Sequence, residues 1–371
     1  MVLAHLSLSD FRNYESLELP LAAGHHLFLG PNGGGKTNVL EAIHLLGTGS
    51  SQRATRDAQL VRHDAAGFRV GARLIEPEAN RTLRVEIESR SGAKKIQVDR
   101  EPARASDLLA AIKVVSFAPS DIELVQDSGR VRRRFLDLLG SQLSGEYLQL
   151  LREYQKAIKQ RNETLARSFL VAHGRNVAKS TREPWTDLVV DLGVRVALRR
   201  RDLVTELGVA LDQLTEGVFR GAGPLTVTYE PSVPWTGEDP REEFAEALDR
   251  CAGKDEALGY TTLGPHTDDL RLELGGRELR RYGSLGQQQL SAMFVKLAQA
   301  ELVRTAAGAP PLLLVDEMFA ILDREASEEF LERVEGEGQI FLATAQEGWL
   351  GELRDRRFRV HRVRAGTVRS E

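Results

Sequence analysis

The chain has 371 residues, 42% hydrophobic and 28% charged, with a formal net charge of −4 at pH 7. That length exceeds one ordinary domain, and the composition suits a globular protein rather than a disordered or fibrous one. The single cysteine, Cys251, excludes an internal disulfide; no run reaches the roughly 18–20 apolar residues of a membrane helix, and the N-terminus lacks signal-peptide regions, so the cytoplasm is the expected compartment.

In chain order, LSLSDF (6–11), SLELPL (16–21) and HHLFLG (25–30) read as strands leading into the glycine-rich GPNGGGKTN at 30–38. KTNVLEAIHLLG follows with Val39, Leu40, Ile43 and Leu46 at helical spacing, and Gly47 is its expected C-cap. FRVGARLI, RTLRVEIES and KKIQVD predict three strands by period-2 alternation, and VVSF at 114–117 a fourth, stopped by Pro119. From about 131 to 219 the pattern turns helical. An apolar stripe from Phe135 to Ile158, interrupted near SGE at 144–146, joins a second helix over 185–214 through a polar hinge at 173–184. Some thirty helical residues per arm span about 45 Å, a compact insertion rather than a long coiled coil. LTVTYEP and DLRLELGGREL predict strands again, with Gly275–Gly276 as a hairpin turn. The chain closes on PPLLLVDE (310–317), a helix near 324–335, a strand QIFLAT and a hairpin FRVHRVRAGTVRS.

Gly30, Pro31, Asn32, Gly33, Gly34, Gly35, Lys36 and Thr37 satisfy G-x-x-x-x-G-K-[ST] between a predicted strand and a predicted helix. Glycines let successive N–H groups curve around a β-phosphate, the helix N-terminus adds its positive dipole end, and Lys36 adds a point charge. The Thr37 hydroxyl suits Mg²⁺, so ATP with Mg²⁺ is the expected cofactor. In PLLLVDE an apolar strand ends in Asp316, whose carboxylate belongs beside the metal, while Glu317 orients or deprotonates the attacking water. Lys36 and Glu317 are the expected catalytic residues.

YGSLGQQQL (282–290) sets a second helix N-terminus, headed by Ser284, Gly286 and Gln287, ahead of that acidic strand. Such an end can grip a γ-phosphate through a hydroxyl and backbone N–H groups. Asp323 completes an order of loop, signature, acidic strand and LD turn, the order of the ABC-type ATPases, in which the signature faces a second subunit's nucleotide. The expected class is therefore α/β: an ABC-type ATPase head with a mixed β-sheet lobe around the phosphate loop, an inserted, mainly helical second lobe and no long coiled coil. The expected division is 1–117 with 300–371 for the ATPase lobe and 118–299 for the second lobe, holding the helical arm (about 131–219) and the signature (283–289).

Over nearly its whole length the chain resembles the RecF family of bacterial recombination mediators. FRNYESLEL followed by GPNGGGKTNVLEAI, including Asn38 after the threonine, carries the resemblance, as do FAPSDIELVQDSGRVRRRFLD, YQKAIKQRN, LGPHTDDL and GSLGQQQ in that order. It implies an SMC-like head that binds ATP and DNA, forms a homodimer with ATP, and is a weak DNA-stimulated ATPase. It further implies duplex DNA at gaps and single/double-strand junctions, RecR- and RecO-type partners, recombinase loading, replication restart and the SOS response, with no membrane partner. The chain departs from the family pattern with Glu317 after Asp316, Ala320-Ile321 before Leu322-Asp323, Thr267 in GPHTDD, Gln52 before Arg53 and Gln289 in the signature. No convincing glutamine-loop residue (Gln126 is a weak candidate) and no switch histidine after QIFLAT are visible.

Nine of the 50 basic residues are lysine, so 41 are arginine. Clusters at Arg130 and Arg132–Arg134, at Arg199–Arg201 and through RDRRFRVHRVR (354–364) read either as phosphate contacts or as solvated faces. Arg12 reads as a phosphate contact or a surface residue, and His266 as part of a turn rather than of a metal set with Asp268 and Asp269. The ATPase subunit of a membrane ABC transporter is the alternative reading; the long insertion over 38–282 favours DNA.

Overall fold

The computed structural model describes every residue except 77–79, 173–182, 220, 236, 238, 321 and 336–337, and only the backbone of 167–172 and 183–184. The chain folds as two units, Met1–Ile122 with Leu285–Glu371, and Glu123–Ser284. These boundaries replace the expected cuts at 117/118 and 299/300. A cut at 299/300 would fall inside the continuous helix Leu285–Ala307, whose middle is buried on nearly every side and so belongs to one core.

The first unit opens with β1 (Val2–Phe11), β2 (Tyr14–Pro20), β3 (His26–Leu29) and α1 (Lys36–Thr48). It continues through β4 (Gly67–Glu76), β5 (Arg81–Arg90), β6 (Ala93–Val98), β7 (Glu101–Ala103), α2 (Ala105–Ala111) and β8 (Val114–Phe117). The second unit holds α3 (Glu123–Gln126), α4 (Gly129–Leu143), α5 (Gly145–Ala172), α6 (Glu183–Thr215), β9 (Leu225–Glu230), α7 (Pro240–Leu258), β10 (Asp269–Leu274), β11 (Arg277–Glu278) and α8 (Leu279–Tyr282). The chain then returns through α9 (Leu285–Ala307), β12 (Leu312–Asp316), α10 (Arg324–Val334), β13 (Ile340–Thr344), α11 (Leu350–Asp355), β14 (Arg359–Arg364) and β15 (Thr367–Ser370).

Two six-stranded sheets build the first unit. One is antiparallel, in the order β2-β1-β4-β5-β6-β7; the other, β15-β14-β3-β13-β12-β8, is parallel from β14 to β8 and closed by antiparallel β15. Helix α1 lies between them. Its Val39, Ile43 and Leu46 share one apolar cluster with Leu6, Val70 and Ile87 of the first sheet and Phe28, Leu314 and Phe341 of the second. Eleven of its thirteen residues are buried, which explains an apolar content on all sides where a surface helix would show a stripe. Truncating one of these leucines to alanine costs about 2–5 kcal/mol.

Gly47 does not cap this helix. Helix α1 runs to Thr48 and its C-cap lies two residues beyond Gly47, at Gly49, in the left-handed region at φ 72°; a Cβ on Gly47 would instead come within 2.4 Å of Val114 Cγ2. Glycine there permits the close approach of helix and strand.

In the second unit α5, α6 and α7 share a core of Tyr154, Val190, Val196, Phe244 and Leu248. The expected interruption falls at Ser144, the C-cap of α4, and the hinge lies outside the described residues at 173–182. Gly275 and Gly276 make the β10–β11 turn with φ of 58° and 75°.

Candidate functional site

The phosphate loop leaves β3 at Gly30 and enters α1 at Lys36. Its crest, Pro31–Gly33, is exposed, whereas Gly34, Gly35 and Lys36 are buried. Gly33 and Gly35 adopt φ of 75° and 117°, conformations that side chains disfavour, and a Cβ on Gly30 would strike the Val363 carbonyl oxygen at 2.0 Å. The loop is braced from behind. Tyr14 Oη donates to Gly35 O (3.1 Å), Asn13 Nδ2 to Gly34 O (3.1 Å) and the Gly366 N–H to Gly34 O (3.0 Å). Asn38 Nδ2 in turn donates to Asn13 Oδ1 at 2.8 Å. Asn13, Tyr14 and Gly366 were not singled out by motif; the only signal for the first two was their place in FRNYESLEL.

The four expected chemical groups meet. Lys36 Nζ donates to Gly30 O (2.9 Å) and Pro31 O (3.1 Å) and pairs with Glu317 Oε1 at 2.9 Å. Thr37 Oγ1 donates to Asp316 Oδ1 at 2.9 Å. Glu317 itself is left-handed at φ 49°, unusual for a β-carbon residue and worth about 1–2 kcal/mol of strain. That conformation is held by the Glu317 N–H to Ala343 O (2.9 Å) and by the Ala345 N–H donating to Glu317 Oε2 (3.1 Å). The turn thus aims a carboxylate back at the loop.

Burial, with the neighbouring Glu317 charge adding to it, holds the Asp316 carboxyl above the usual carboxylate range, against the Thr37 hydrogen bond and the charges of Arg53 and Lys36. A cleft of about 300 Å³ opens beside these groups, lined by Thr37, Glu41, Gln52, Arg53, Ser120 and Asp316. The donor set fits Mg²⁺, a cation that takes hydroxyl and carboxylate oxygens. The glycine cradle with its lysine fits a polyphosphate, because its N–H groups and one cation converge on one place.

Other expected residues have different settings. Asp323 is the N-cap of α10, accepting from the Ala326 N–H at 2.8 Å. Ser284 and Gly286 are exposed at the start of α9, and a Cβ on Gly286 would meet nothing within 4 Å. Gln287 is half-buried.

Arg12 is not a free surface residue. Its guanidinium forms a two-pronged pair with the buried Glu41 of α1 (2.7 and 2.8 Å), fixing the helix that carries the loop. His266 is a turn residue, bonded to Tyr154 Oη (2.7 Å) and Thr261 O (2.9 Å), and among the described residues no group of three or more potential ligands could hold a metal.

Two of the clustered arginines, Arg132 and Arg200, are buried, whereas Arg130, Arg134, Arg199, Arg201 and Arg354 are exposed. Arg132 pairs with both carboxylate oxygens of Asp269, Arg133 donates to Asp268 O, and Arg200, 1% exposed, pairs with Asp137 at 2.6 Å. Arg354 and Arg362 pair with Glu371, and Arg356 with Glu335. Sequence clustering alone does not separate the buried pairs of Arg132 and Arg200 from the surface pairs of Arg354 and Arg362.

Comparison with known proteins places this architecture. The family model for the RecF/RecN/SMC N-terminal domain matches residues 2–369. The DNA replication and repair protein RecF of Roseiflexus castenholzii is 36% identical over 93% of this chain and 93% of its own length. That of Halalkalibacterium halodurans is 33% identical over 93% and 92%. The solved structure of the recombination mediator protein RecF with ATP, of the RecFOR pathway, has a TM-score of 0.90 over 100% of this chain and 97% of that chain, at 24% identity. An SMC head bound to the C-terminal winged-helix domain of ScpA matches at 0.55 with 13% identity. These structural likenesses are of fold: an ABC/SMC-like ATPase head.

Proposed function

The chain belongs to the RecF family of DNA replication and repair proteins, and on that footing we propose that it is an ATP-dependent mediator of recombinational repair that closes as a homodimer on duplex DNA. The observation that carries the reading is the joint placement of Lys36 against Glu317 and of Thr37 against Asp316. These are the groups for binding a triphosphate, holding its metal and handling a water proton.

Bound Mg²⁺ supplies charge neutralisation for the phosphates. Thr37 and Asp316 hold it, the loop N–H groups and Lys36 bind the phosphates, and Glu317 orients and deprotonates water. Lys36 must leave the Gly30 and Pro31 carbonyls and Glu317 to serve the phosphates, which frees the Glu317 carboxylate for the water. Asp323 shapes the turn near the acidic strand. Ser284, Gly286 and Gln287, on an exposed helix start with no steric need for glycine within the chain, act on the nucleotide of the second copy. Hydrolysis is weak and DNA-stimulated, in keeping with a clamp that persists between events.

Gapped duplex near single/double-strand junctions is the proposed substrate, and RecR- and RecO-type mediators the proposed partners in loading recombinase, replication restart and the SOS response, in the cytoplasm. The RecFOR context of the ATP-bound relative supports this. The transporter alternative is not favoured: the relatives are repair proteins over more than nine-tenths of the chain. Among the described residues no helix is long and apolar enough to cross a membrane.

The test is light scattering with no nucleotide, with ADP and with ATP, in the presence and absence of duplex DNA. A dimer only with ATP, and its retention on DNA, is the expected result. A chain that stays monomeric with ATP while binding it would overturn the clamp.

A further inference from the structure

The antiparallel sheet buries one face and leaves the other open. Phe68, Val70 and Leu74 of β4 and Leu83, Val85 and Ile87 of β5 point into the core, so Arg69, Gly71 and Arg73, and Arg84, Glu86 and Glu88, point outward. Register puts His5, Arg73 and Arg84 side by side on β1, β4 and β5. Arg100 follows from the β6–β7 turn, one of two consecutive left-handed residues there (Asp99, φ 52°; Arg100, φ 73°).

Two arginines facing each other across neighbouring antiparallel strands repel, at a cost to the sheet. Elsewhere on this surface the charges are matched: Arg69 pairs with Glu86, Arg81 with Asp99 and His5 with Glu18. Arg73, Arg84 and Arg100 are exposed and, among the described residues, their side chains have no ion-pair partner. The next row across the sheet is Ser7, Gly71, Glu86 and Gln97. Gly71 bears no side chain, and a Cβ there would come within 2.6 Å of Ser7 Oγ. The result is a groove of about 510 Å³ walled by the unmatched arginines, whose single acid, Glu86, is already engaged by Arg69.

We infer that this groove is a phosphate-docking surface for the backbone of duplex DNA, with Arg73, Arg84 and Arg100 as its contacts. The inference rests on the DNA-binding reading above and gives it a place on the molecule. Repulsion that the folded chain leaves uncompensated is relieved when polyanionic phosphate enters. Guanidinium forks suit phosphate oxygens, and the groove's one amide, Gln97, donates to the Arg100 carbonyl at 3.0 Å, so binding here is indifferent to sequence.

The test compares wild type, the double variant Arg73→Ser/Arg84→Ser and the control Arg304→Gln, an exposed arginine paired with Glu301 on α9. Anisotropy of a labelled duplex is measured with a non-hydrolysable ATP analogue across a KCl series. Losing two phosphate contacts lowers the log–log salt slope by about two and the affinity at physiological salt by about an order of magnitude or more. The control leaves both unchanged. Binding of the nucleotide analogue and the melting temperature report folding, and the melting temperature of the double variant should stay level or rise as the repulsion is removed. An unchanged slope and affinity in a well-folded double variant overturns the groove while leaving DNA binding intact. A wild type that ignores duplex altogether sinks the broader reading instead. Equal loss of affinity for phosphatidylserine vesicles, with wild type preferring vesicles to duplex, would reassign the surface to a membrane and also overturns the proposal.

Discussion

Lys36 Nζ lies 2.9 Å from Glu317 Oε1, so the cation proposed to serve the phosphates and the carboxylate proposed to serve the water neutralise each other beside the glycine loop. Each is further occupied, Lys36 by two loop carbonyls and Glu317 by the Ala345 N–H. Entry of a phosphate therefore competes with an existing ion pair.

Two substitutions separate the partners. Lys36→Met removes the only lysine of the loop, and equilibrium binding of a fluorescent ATP analogue should fall by at least two orders of magnitude. Glu317→Gln keeps the shape but not the charge, so Lys36 is released more readily. ADP, for which slowed hydrolysis is irrelevant, should bind the Gln variant as tightly as wild type or a few-fold tighter, while ATP turnover is lost and an ATP dimer accumulates. Weaker ADP binding in that variant would mean the pair assists binding rather than competing with it.

Asp316 illustrates function set against stability. Burial first, and the Glu317 charge second, raise its pKa, so carrying the charge costs the nucleotide-free fold more than it costs the unfolded chain. Asp316→Asn retains an oxygen to accept from Thr37 while removing the penalised charge. Its melting temperature without nucleotide should rise, by about 2 °C if roughly 1 kcal/mol is recovered. Mg²⁺-dependent hydrolysis should vanish. A melting temperature that falls would show that the charge is compensated within the chain.

The imidazoles of His26 and His361 give an acid-sensitive joint. Ser370 Oγ lies 2.8 Å from His361 Nδ1, His361 Nε2 lies 2.9 Å from His26 Nδ1, and His26 Nε2 lies 2.9 Å from Ala22 O. With both rings neutral this is a one-way relay: Ser370 donates to His361, His361 to His26, and His26 to the carbonyl. A proton on the His26 Nδ1 sets two N–H groups against each other. Burial lowers both pKa values to about 4 from the usual 6.5. The unfolded chain then binds protons more readily than the folded one between pH 6.5 and 4, so stability is full above pH 6.5 and falls as pH drops through that window. The loss is on the order of 3 kcal/mol per ring at most. Urea midpoints at pH 7.5, 6 and 5 should decline steeply in wild type and less so in His361→Asn; parallel declines would locate the sensitivity elsewhere.

Legibility from sequence followed how local each signal was. The phosphate loop, its helix and the acidic strand were readable because glycine spacing and a run ending in Asp316 encode them within a few residues. The helix Pro240–Leu258 was missed although Asp239 caps it, Pro240 opens it and Glu242 and Glu243 lie in its first turn; its weak apolar stripe hid among charges. The bracing of the loop by Asn13 and Gly366 and the Arg12–Glu41 pair join distant segments, and no periodicity reports such contacts. Arginine clusters misled for the same reason: Arg200 looks like its neighbours Arg199 and Arg201 in sequence, but only the fold sets it against Asp137 in the interior.

The proposed role of Ser284 and Gly286 on a second subunit's nucleotide can be tested at the exposed start of α9. Gly286 lies in a helix where glycine costs about 1 kcal/mol relative to alanine, and a Cβ would find open space in its own chain. Gly286→Ala should therefore stabilise the monomer slightly while weakening ATP-driven association, because the added methyl intrudes only where another surface approaches. Ser284→Arg should leave ATP binding by the monomer intact, since the phosphate loop is untouched, and should block dimerisation. Mixing Ser284→Arg with Lys36→Met makes the geometry diagnostic. In the mixed dimer one composite site carries both lesions, while the other joins a normal loop from one chain to a normal signature from its partner. Hydrolysis absent from either variant alone should partly return in the mixture, and ATP-dependent association of differently labelled variants should return with it even where turnover needs both sites. Ser284→Arg that dimerises with ATP like the wild type would reduce this glutamine-rich helix start to a cap.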